Sequence, residues 1–373
     1  MGLAAFSLLQ LAGLALILMS RIGGWGEVFL SKPLLSLVYM WHCLMLPVLM
    51  LGWLAFGAPW HLMQWCRRVL RREESVSPAA AGERPIGVTR REFVGAALAA
   101  APAVFTIGAT AVAVPQLERF RIRRFTLSLP QLPAALDSLT IAHVTDLHVG
   151  RFTRGALLDS IVAATNRLEP DLVLLTGDLI NHALTDLPEA LATVQQMRGR
   201  HGVFMCEGNH DLIENPRTFR ERTRGSGVRL LVNEAATLDI QGAAVQLLGL
   251  GWGNSLVSAG RRSQHGDAAI AASMGRLLER RDPSAFPILL AHHPHAFDHA
   301  ADLPLTLAGH THGGQLMLTE QTGFGPAMFR YWSGVYHREE RALVVSNGVG
   351  NWFPLRTRAP AEIIHLTLRR AAA

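Results

Sequence analysis

The sequence predicts an α/β layered domain carried behind a set of membrane-length apolar segments. Three observations predict it. Three runs in the first third are apolar all round, each near the ~20 residues that a helix needs to cross a bilayer. From about Thr126 onward, apolar runs of four to seven residues alternate with stretches of helical periodicity, the pattern of strands layered against helices. Five of those short runs stop at clusters of Asp, Asn and His.

Composition bounds the reading before any motif is used. The chain has 373 residues, 49% hydrophobic and 17% charged, with a net charge of +6. This leaves room for one large domain plus an apolar region. The positive balance comes mostly from arginines between and after the apolar runs, so it reads first as a membrane-topology signal. No basic motif interleaved with aromatics is present, and no nucleic-acid partner is expected. The three cysteines, Cys43, Cys66 and Cys206, support neither a disulfide framework nor a cysteine-rich zinc site.

Residues 1–115 form the apolar region, with candidate spans at 3–20, 33–58 and 93–114. None carries an amphipathic stripe, so buried helices of a soluble protein fit poorly. Between the second and third spans lie Arg67, Arg68, Arg71, Arg72, Arg84, Arg90 and Arg91, with a Pro/Ala/Gly/Ser-containing linker from Ser75 to Gly87. The positive-inside rule makes that loop cytoplasmic and places everything after Val114 on the outer side. Arg119, Arg121, Arg123 and Arg124 weigh against that bias. The expectation is a multi-pass protein of a bacterial inner membrane with a periplasmic domain. Thr89-Arg90-Arg91-Glu92-Phe93-Val94 resembles a twin-arginine export signal, and Ala111-Val112-Ala113 a cleavage site. A basic anchor beside an ordinary membrane helix is the other reading.

Residues 116–373 form the second domain. Arg119 to Phe125 alternates charge with bulk, as an edge strand does when arginines discourage further pairing, or as a segment laid on anionic headgroups does. Candidate strands are Leu139 to Val144, Leu172 to Leu175, Val203 to Cys206, Val245 to Leu250, Ile288 to Ala291, Leu305 to Leu307 and Ala342 to Val345. Candidate helices include Gly155 to Leu168, Leu187 to Met197 and Asp267 to Glu279.

The polar clusters follow those strands. They are Thr145-Asp146-Leu147-His148, Thr176-Gly177-Asp178-Leu179-Ile180-Asn181, Gly208-Asn209-His210-Asp211, His292-His293-Pro294 and Gly309-His310-Thr311-His312-Gly313-Gly314-Gln315. Each alone is weak, because a histidine in a polar loop is usually a surface residue. In a layered sheet the loops at one strand edge line the ligand crevice, so the five should converge. Carboxylate, amide and imidazole donors without thiolate suit Mn²⁺, Fe or Zn²⁺ and do not choose among them.

In this ordered set the chain resembles the calcineurin-like metallophosphoesterases, and within them the bacterial membrane-associated phosphodiesterases that end in Gly-His-Thr-His-Gly-Gly-Gln. The likeness runs from about Leu127 to Thr367. It implies a four-layered αββα sandwich and two divalent cations (Mn, Fe or Zn). Asp146, His148, Asp178 and His312 would hold one cation. Asp178, Asn209, His292 and His310 would hold the other, with His293 as the alternative to His292. Two such cations can share a hydroxide and place it in line with phosphorus. His210 is then the proton donor to the leaving oxygen, with Asp211 fixing its tautomer.

Other residues join the site by the same resemblance. Asn181, where relatives often carry aspartate, implies a hydrogen bond near the substrate. Leu250-Gly251-Trp252-Gly253-Asn254 lacks the aspartate that relatives commonly show after this strand. Ser346-Asn347-Gly348-Val349-Gly350 with Arg356 resembles a late glycine loop and a phosphate-clasping arginine, an ordinary turn with a surface arginine being the alternative. His143, His182, His201, His265, His295, His299 and His337 are assigned to structure or solvent, and Cys206 to packing.

The resulting expectation is a membrane-anchored phosphohydrolase acting on phosphodiesters or pyrophosphates. Lipid-linked or envelope substrates such as UDP-2,3-diacylglucosamine of lipid A synthesis are one implied class, although that role needs a cytoplasm-facing site. A periplasmic phosphodiesterase is the companion reading. A non-catalytic envelope binding module on a decayed scaffold is the rival class, and decay should remove ligands that are all present here.

Overall fold

The computed structural model describes residues 2–22, 30–70, 88–252 and 264–371. It divides into two compact units, Met1–Val114 and Pro115–Ala373. Parts of the arginine-bearing loop and linker (residues 71–87), as well as Gly253 and Asn254, lie outside the described residues.

The first unit is helical. A helix spans Gly2–Ile22, helical segments run end to end from Lys32–Tyr39 to Ala58–Leu70, and a third helix spans Arg90–Ala113. All three are long and apolar enough to cross a membrane by length and composition. Phe6 sets its ring edge against Trp41 at 4.9 Å, and His42 Nε2 lies 3.2 Å from the Gln10 carbonyl, so the first two segments pack against each other. The third helix opens on a reciprocal cap: Thr89 accepts from the Glu92 amide, and Glu92 accepts from the Thr89 amide. Leu8, Leu11, Phe56, Leu98 and Val104 point outward, as hydrocarbon rather than water as solvent would favour.

The second unit is built on two six-stranded sheets. The first has the order β1 (Phe120–Leu129), β12 (Ala361–Arg370), β2 (Thr140–Val144), β3 (Leu172–Thr176), β4 (Val203–Cys206) and β5 (Arg229–Leu230). The second has the order β10 (Gly334–Arg338), β11 (Arg341–Val345), β9 (Leu305–Ala308), β8 (Phe286–Leu290), β7 (Ala243–Gly249) and β6 (Glu234–Ile240). Strand side chains alternate between faces, and here both faces are covered. Leu172, Leu174, Phe204 and Cys206 join Leu247, Ile288, Leu305 and Val344 in one core between the sheets. Val173, Leu175 and Met205 face the other way, into a core with Ile161, Leu187 and Phe219 of the outer helices. On the far side, Leu248, Leu289 and Ala291 pack with Met274 and Leu277. Helix, sheet, sheet and helix make four layers.

Two details of this unit bear on the site. Strands β2, β3 and β4 run parallel, as do β7, β8, β9 and β11, so the carboxyl ends within each set share one edge. β1 is an edge strand, hydrogen-bonded to β12 alone. Its Arg121 and Arg123 pair with the buried Glu362, at 2.8 and 3.4 Å, so these arginines are committed to protein.

Candidate metal centre

The five polar clusters meet where the carboxyl ends of the two sheets come together. β2 delivers Asp146 and His148, β3 delivers Asp178, and β4 delivers Asn209 and His210, while β8 delivers His292 and β9 His310 and His312. The His310 amide donates to both Asp146 oxygens at 3.2 and 3.1 Å, and His292 Nδ1 donates to the Thr176 carbonyl at 2.6 Å. These two links tie the second sheet's loops to the first sheet's carboxylate and strand end.

Backbone geometry at these positions is costly. Asp146, His148, Asp178, His310 and His312 all have φ between 45° and 72°, a left-handed conformation that costs a residue with a Cβ roughly 1–3 kcal/mol and persists where surroundings enforce it. Gly208 answers a steric need. Its φ is not positive, and a Cβ there would collide with Asp178 Oδ1 and the Asp178 amide. Close approach of two loops, rather than a left-handed turn, calls for glycine at this position.

Three donor groups result, each with ligand atoms within 4.8 Å of one another: Asp146, His148 and His312; Asp178, His292 and His310; and His148, Asp178 and His210. His312 Nε2 lies 3.2 Å from Asp146 Oδ1, His292 Nε2 3.1 Å from Asp178 Oδ2, and His148 Nε2 3.5 Å from Asp178 Oδ2. His292 enters a donor group and His293 enters none. His293 Nδ1 instead accepts from the His295 amide at 3.2 Å. Asn209 Oδ1 is buried with no hydrogen-bond partner among the described residues. Such an acceptor is expensive to leave unpaired and suits a cation.

Electrostatics prepare the same result. Burial pushes the imidazoles of His148 and His310 down to about 3, so they are neutral and carry a lone pair. His292 behaves oppositely: burial opposes its charge, but Asp178 and Asp146 overcome that and raise it to about 9. Burial also works against the charges of Asp146 and Asp178. For Asp146 the facing His312, His148 and His292 outweigh it, and for Asp178 His292 and His210 do, so both carboxyls stay well below their usual range. Two buried anions ringed by imidazoles favour a cation between them.

Three side chains stand differently from the sequence expectation. Asp211 does not orient His210. Its Oδ1 accepts from the Leu179 and Ile180 amides at 2.8 and 3.1 Å, and its Oδ2 from Gly208 at 2.8 Å, so it splices the β3 and β4 loops. The tautomer of His210 is set by the Asn181 backbone carbonyl, which accepts from Nδ1 and leaves Nε2 for chemistry. Asn181 thus touches the site through its main chain. Arg356 is no phosphate clasp, being 1% exposed. It donates to Asn351 Oδ1 and to the carbonyls of Asn347, Ala359 and Gly350, and its Nη2 lies 3.0 Å from His312 Nδ1. Burial pulls it down to about 10, against the charges of Asp146 and Glu362, so it remains a cation behind His312.

Two tryptophans were not singled out by sequence as site residues. The Trp252 ring lies 5.4 Å from His292 and 5.0 Å from His310, and that of Trp352 6.1 Å from His210 and 6.4 Å from His312. Trp252 carries a sequence signal, a bulky aromatic between glycines just after a strand, whereas Trp352, between Asn351 and Phe353, carries none.

Comparison with known proteins follows this geometry. The calcineurin-like phosphoesterase family model matches residues 139–318. An uncharacterized metallophosphoesterase of Campylobacter jejuni is 30% identical over 250 residues, covering 64% of this chain and 61% of the relative. A Danio rerio transmembrane protein with a metallophosphoesterase domain is 30% identical over 253 residues, covering 66% and 56%. Phosphodiesterase YaeI of Escherichia coli is 29% identical over 244 residues, covering 61% and 81%. The chain spans less than two thirds of the length of the Campylobacter relative and of similar Helicobacter pylori relatives.

Proposed function

From the premise that this chain belongs to the calcineurin-like phosphoesterases, we propose that its second unit is a metal-dependent phosphohydrolase cleaving phosphodiester or pyrophosphate bonds. One observation carries the reading: two buried carboxylates, four imidazoles and the unpartnered Asn209 carbonyl oxygen converge from five loops. Asp146, His148, Asp178 and His312 are assigned to one divalent cation, and Asp178, Asn209, His292 and His310 to a second. When bound, such ions supply Lewis acidity toward phosphoryl oxygens and acidify water. Two carboxylates against two divalent cations leave the centre net positive, as an anionic phosphoester requires.

The chain's own residues do the rest. Asp178 would be the carboxylate shared by the two cations, and its Oδ1 accepts from the His210 amide at 2.8 Å, which fixes the donor loop to the Asp178 loop. His210, with Nδ1 engaged, presents Nε2 to a leaving oxygen. Asp211 keeps the β3 and β4 loops in register, and Arg356 holds the His312 ring with Nε2 toward Asp146.

The three apolar helices and the transmembrane relative support a membrane-anchored enzyme. We place the catalytic domain on the periplasmic side of an inner membrane, with Arg90 and Arg91 as the cytoplasmic anchor or twin-arginine signal, and read its substrates as lipid-linked or envelope phosphoesters. The test is the full chain in detergent, stripped of metal and reloaded with Mn²⁺, Fe²⁺ or Zn²⁺. It is assayed on bis-p-nitrophenyl phosphate, p-nitrophenyl phosphate and UDP-2,3-diacylglucosamine. Diester or pyrophosphate turnover that depends on added metal is expected, and no turnover with any metal overturns the reading. A reporter fused after Ala373 tests the side of the membrane: a cytoplasmic signal overturns the periplasmic placement.

A further inference from the structure

From Arg341 to Thr357 every residue is buried or half-buried except Trp352, which is 43% exposed. An aromatic side chain normally takes roughly 150–250 Å² out of water, so an indole left this open forgoes much of its packing. Its main chain is nevertheless fastened on both sides. Just before it, the Gly350 amide donates to the Asp146 carbonyl and the Asn351 amide to Thr153 Oγ1, both at 2.9 Å. The Asn351 side chain donates to the Leu117 carbonyl at 2.9 Å and accepts from Arg356 Nε at 2.8 Å. Just after it, the Phe353 and Leu355 carbonyls accept from Gln315 Nε2 at 3.1 and 2.8 Å. A fixed loop thus holds out an open ring.

The ring stands at a particular place. Its centroid lies 6.1 Å from that of His210 and 6.4 Å from that of His312. Trp252 differs: it is half-buried, it lies 5.4, 5.4 and 5.0 Å from His292, His293 and His310, and its amide donates to the buried Glu207 at 3.1 Å. That indole is packing around imidazoles. Trp352 is on the side of His210, whose Nδ1 is engaged by the Asn181 carbonyl and whose Nε2 is left for a leaving oxygen.

We propose that Trp352 determines specificity by stacking on a planar ring carried by the leaving group, so that the substrate class is phosphodiesters whose leaving alcohol bears an aryl or heteroaryl ring. The proposal rests on the phosphoesterase reading of the same site. In the step itself a water oxygen bonds to phosphorus, the bond from phosphorus to the ring-bearing oxygen breaks, and the proton on His210 Nε2 goes to that oxygen. The group bonded to an oxygen held by His210 has the neighbouring indole as its support. Aromatic pairs gain from offset or edge-on stacking beyond the area they bury, and a saturated group of similar size does not.

The experiment uses the metal-loaded full chain in one detergent and two pairs of diesters, with product followed by phosphorus NMR. In the first pair the retained group is methyl and the leaving group is phenyl or hexafluoroisopropyl, alcohols of similar acidity. In the second the leaving group is p-nitrophenyl and the retained group is methyl or phenyl. Intrinsic reactivity cancels when one ratio of kcat/KM is compared between enzymes. The phenyl-to-hexafluoroisopropyl ratio is expected to fall about tenfold in Trp352→Leu and to return to within about threefold of wild type in Trp352→Phe. The retained-group ratio is expected to stay as in wild type. Thermal melts verify folding, and Trp352→Gln gives the same reading if the leucine variant melts early. An unchanged leaving-group ratio, or a fall confined to the retained-group pair, overturns the proposal while turnover of methyl p-nitrophenyl phosphate keeps the phosphoesterase reading. Absence of turnover of every diester with every metal overturns that reading, and the role of Trp352 with it.

Discussion

The two sheets meet at one edge but bring different chemistry to it. The first contributes both carboxylates, the amide and the His148 imidazole, and its loops are braced by main-chain amides donating to Asp211. The second contributes imidazoles alone, and these are braced from behind, His292 by the Thr176 carbonyl and His312 by the Arg356 guanidinium. Oxygen donors by themselves would describe a site for hard ions, and imidazoles by themselves one for softer ions. Packing the sheets face to face produces the mixed set, so the centre is a property of the sandwich rather than of either sheet.

The sharpest way to break this division is at the residue that both halves share. Asp178 faces His148 from its own sheet and His292 from the other. Asp178→Asn is expected to lower metal content at both positions and turnover by about 10³-fold or more, measured by elemental analysis and bis-p-nitrophenyl phosphate hydrolysis. Retention of two ions with full activity would remove Asp178 from the bridging role. Next in size is His210→Ala, which should keep its metals and lose about 10²-fold or more in kcat. Because His210 also falls in a donor group with His148 and Asp178, loss of an ion in this variant would reassign it from proton donor to ligand.

Arg356→Lys probes the second sheet's bracing. Loss of the guanidinium fork behind His312 should weaken one ion by about 10–100-fold and leave the other unchanged, in a Mn²⁺ titration of chelator-treated protein. Equal weakening of both would mean that Arg356 supports the fold rather than the His312 ring. The smallest effect lies outside the metal centre, at Asp298. Burial raises its carboxyl, but His295, Tyr331, Arg330 and Arg338 outweigh that and hold it below the ordinary range. A folded-state value below the unfolded one adds stability that is fully present above the unfolded value of about 4 and is lost as pH falls from there through the folded-state value. The gap in melting temperature between wild type and Asp298→Asn should therefore narrow progressively on the acid side of about pH 4, and a constant gap would contradict the assignment.

Much of the fold is written in the sequence where strands are covered on both faces. Leu172 to Leu175 and Ile288 to Ala291 read as strands because consecutive residues enter different cores, so the run is apolar throughout. β6 and β10 lie at sheet edges and mix polar with apolar residues, while β5 is two residues long, and none gives such a run. β12 gives no clear run either, its apolar residues being broken by His365 and Thr367 and closed by two arginines. At the site, the clusters were legible because each follows a strand directly. The directions of Asp211 and Arg356 were not. Adjacency to His210 suggests a partner for its ring, but the tight turn at His210–Leu212 sends the carboxylate back to three amides. An arginine after a glycine loop suggests a surface cation, and only the packing of Asn347, Gly350, Asn351 and Ala359 around it shows that it is enclosed.

The central claim is that both sheets must be present at one centre for ions to be held and phosphoesters cleaved. Its most direct test is to titrate Mn²⁺ into the chelator-stripped full chain while following bound metal and bis-p-nitrophenyl phosphate turnover together. Two ions per chain, with turnover rising as they fill, is the predicted result. Saturation without hydrolysis of any phosphoester, or a stripped chain that binds no ion, would contradict it.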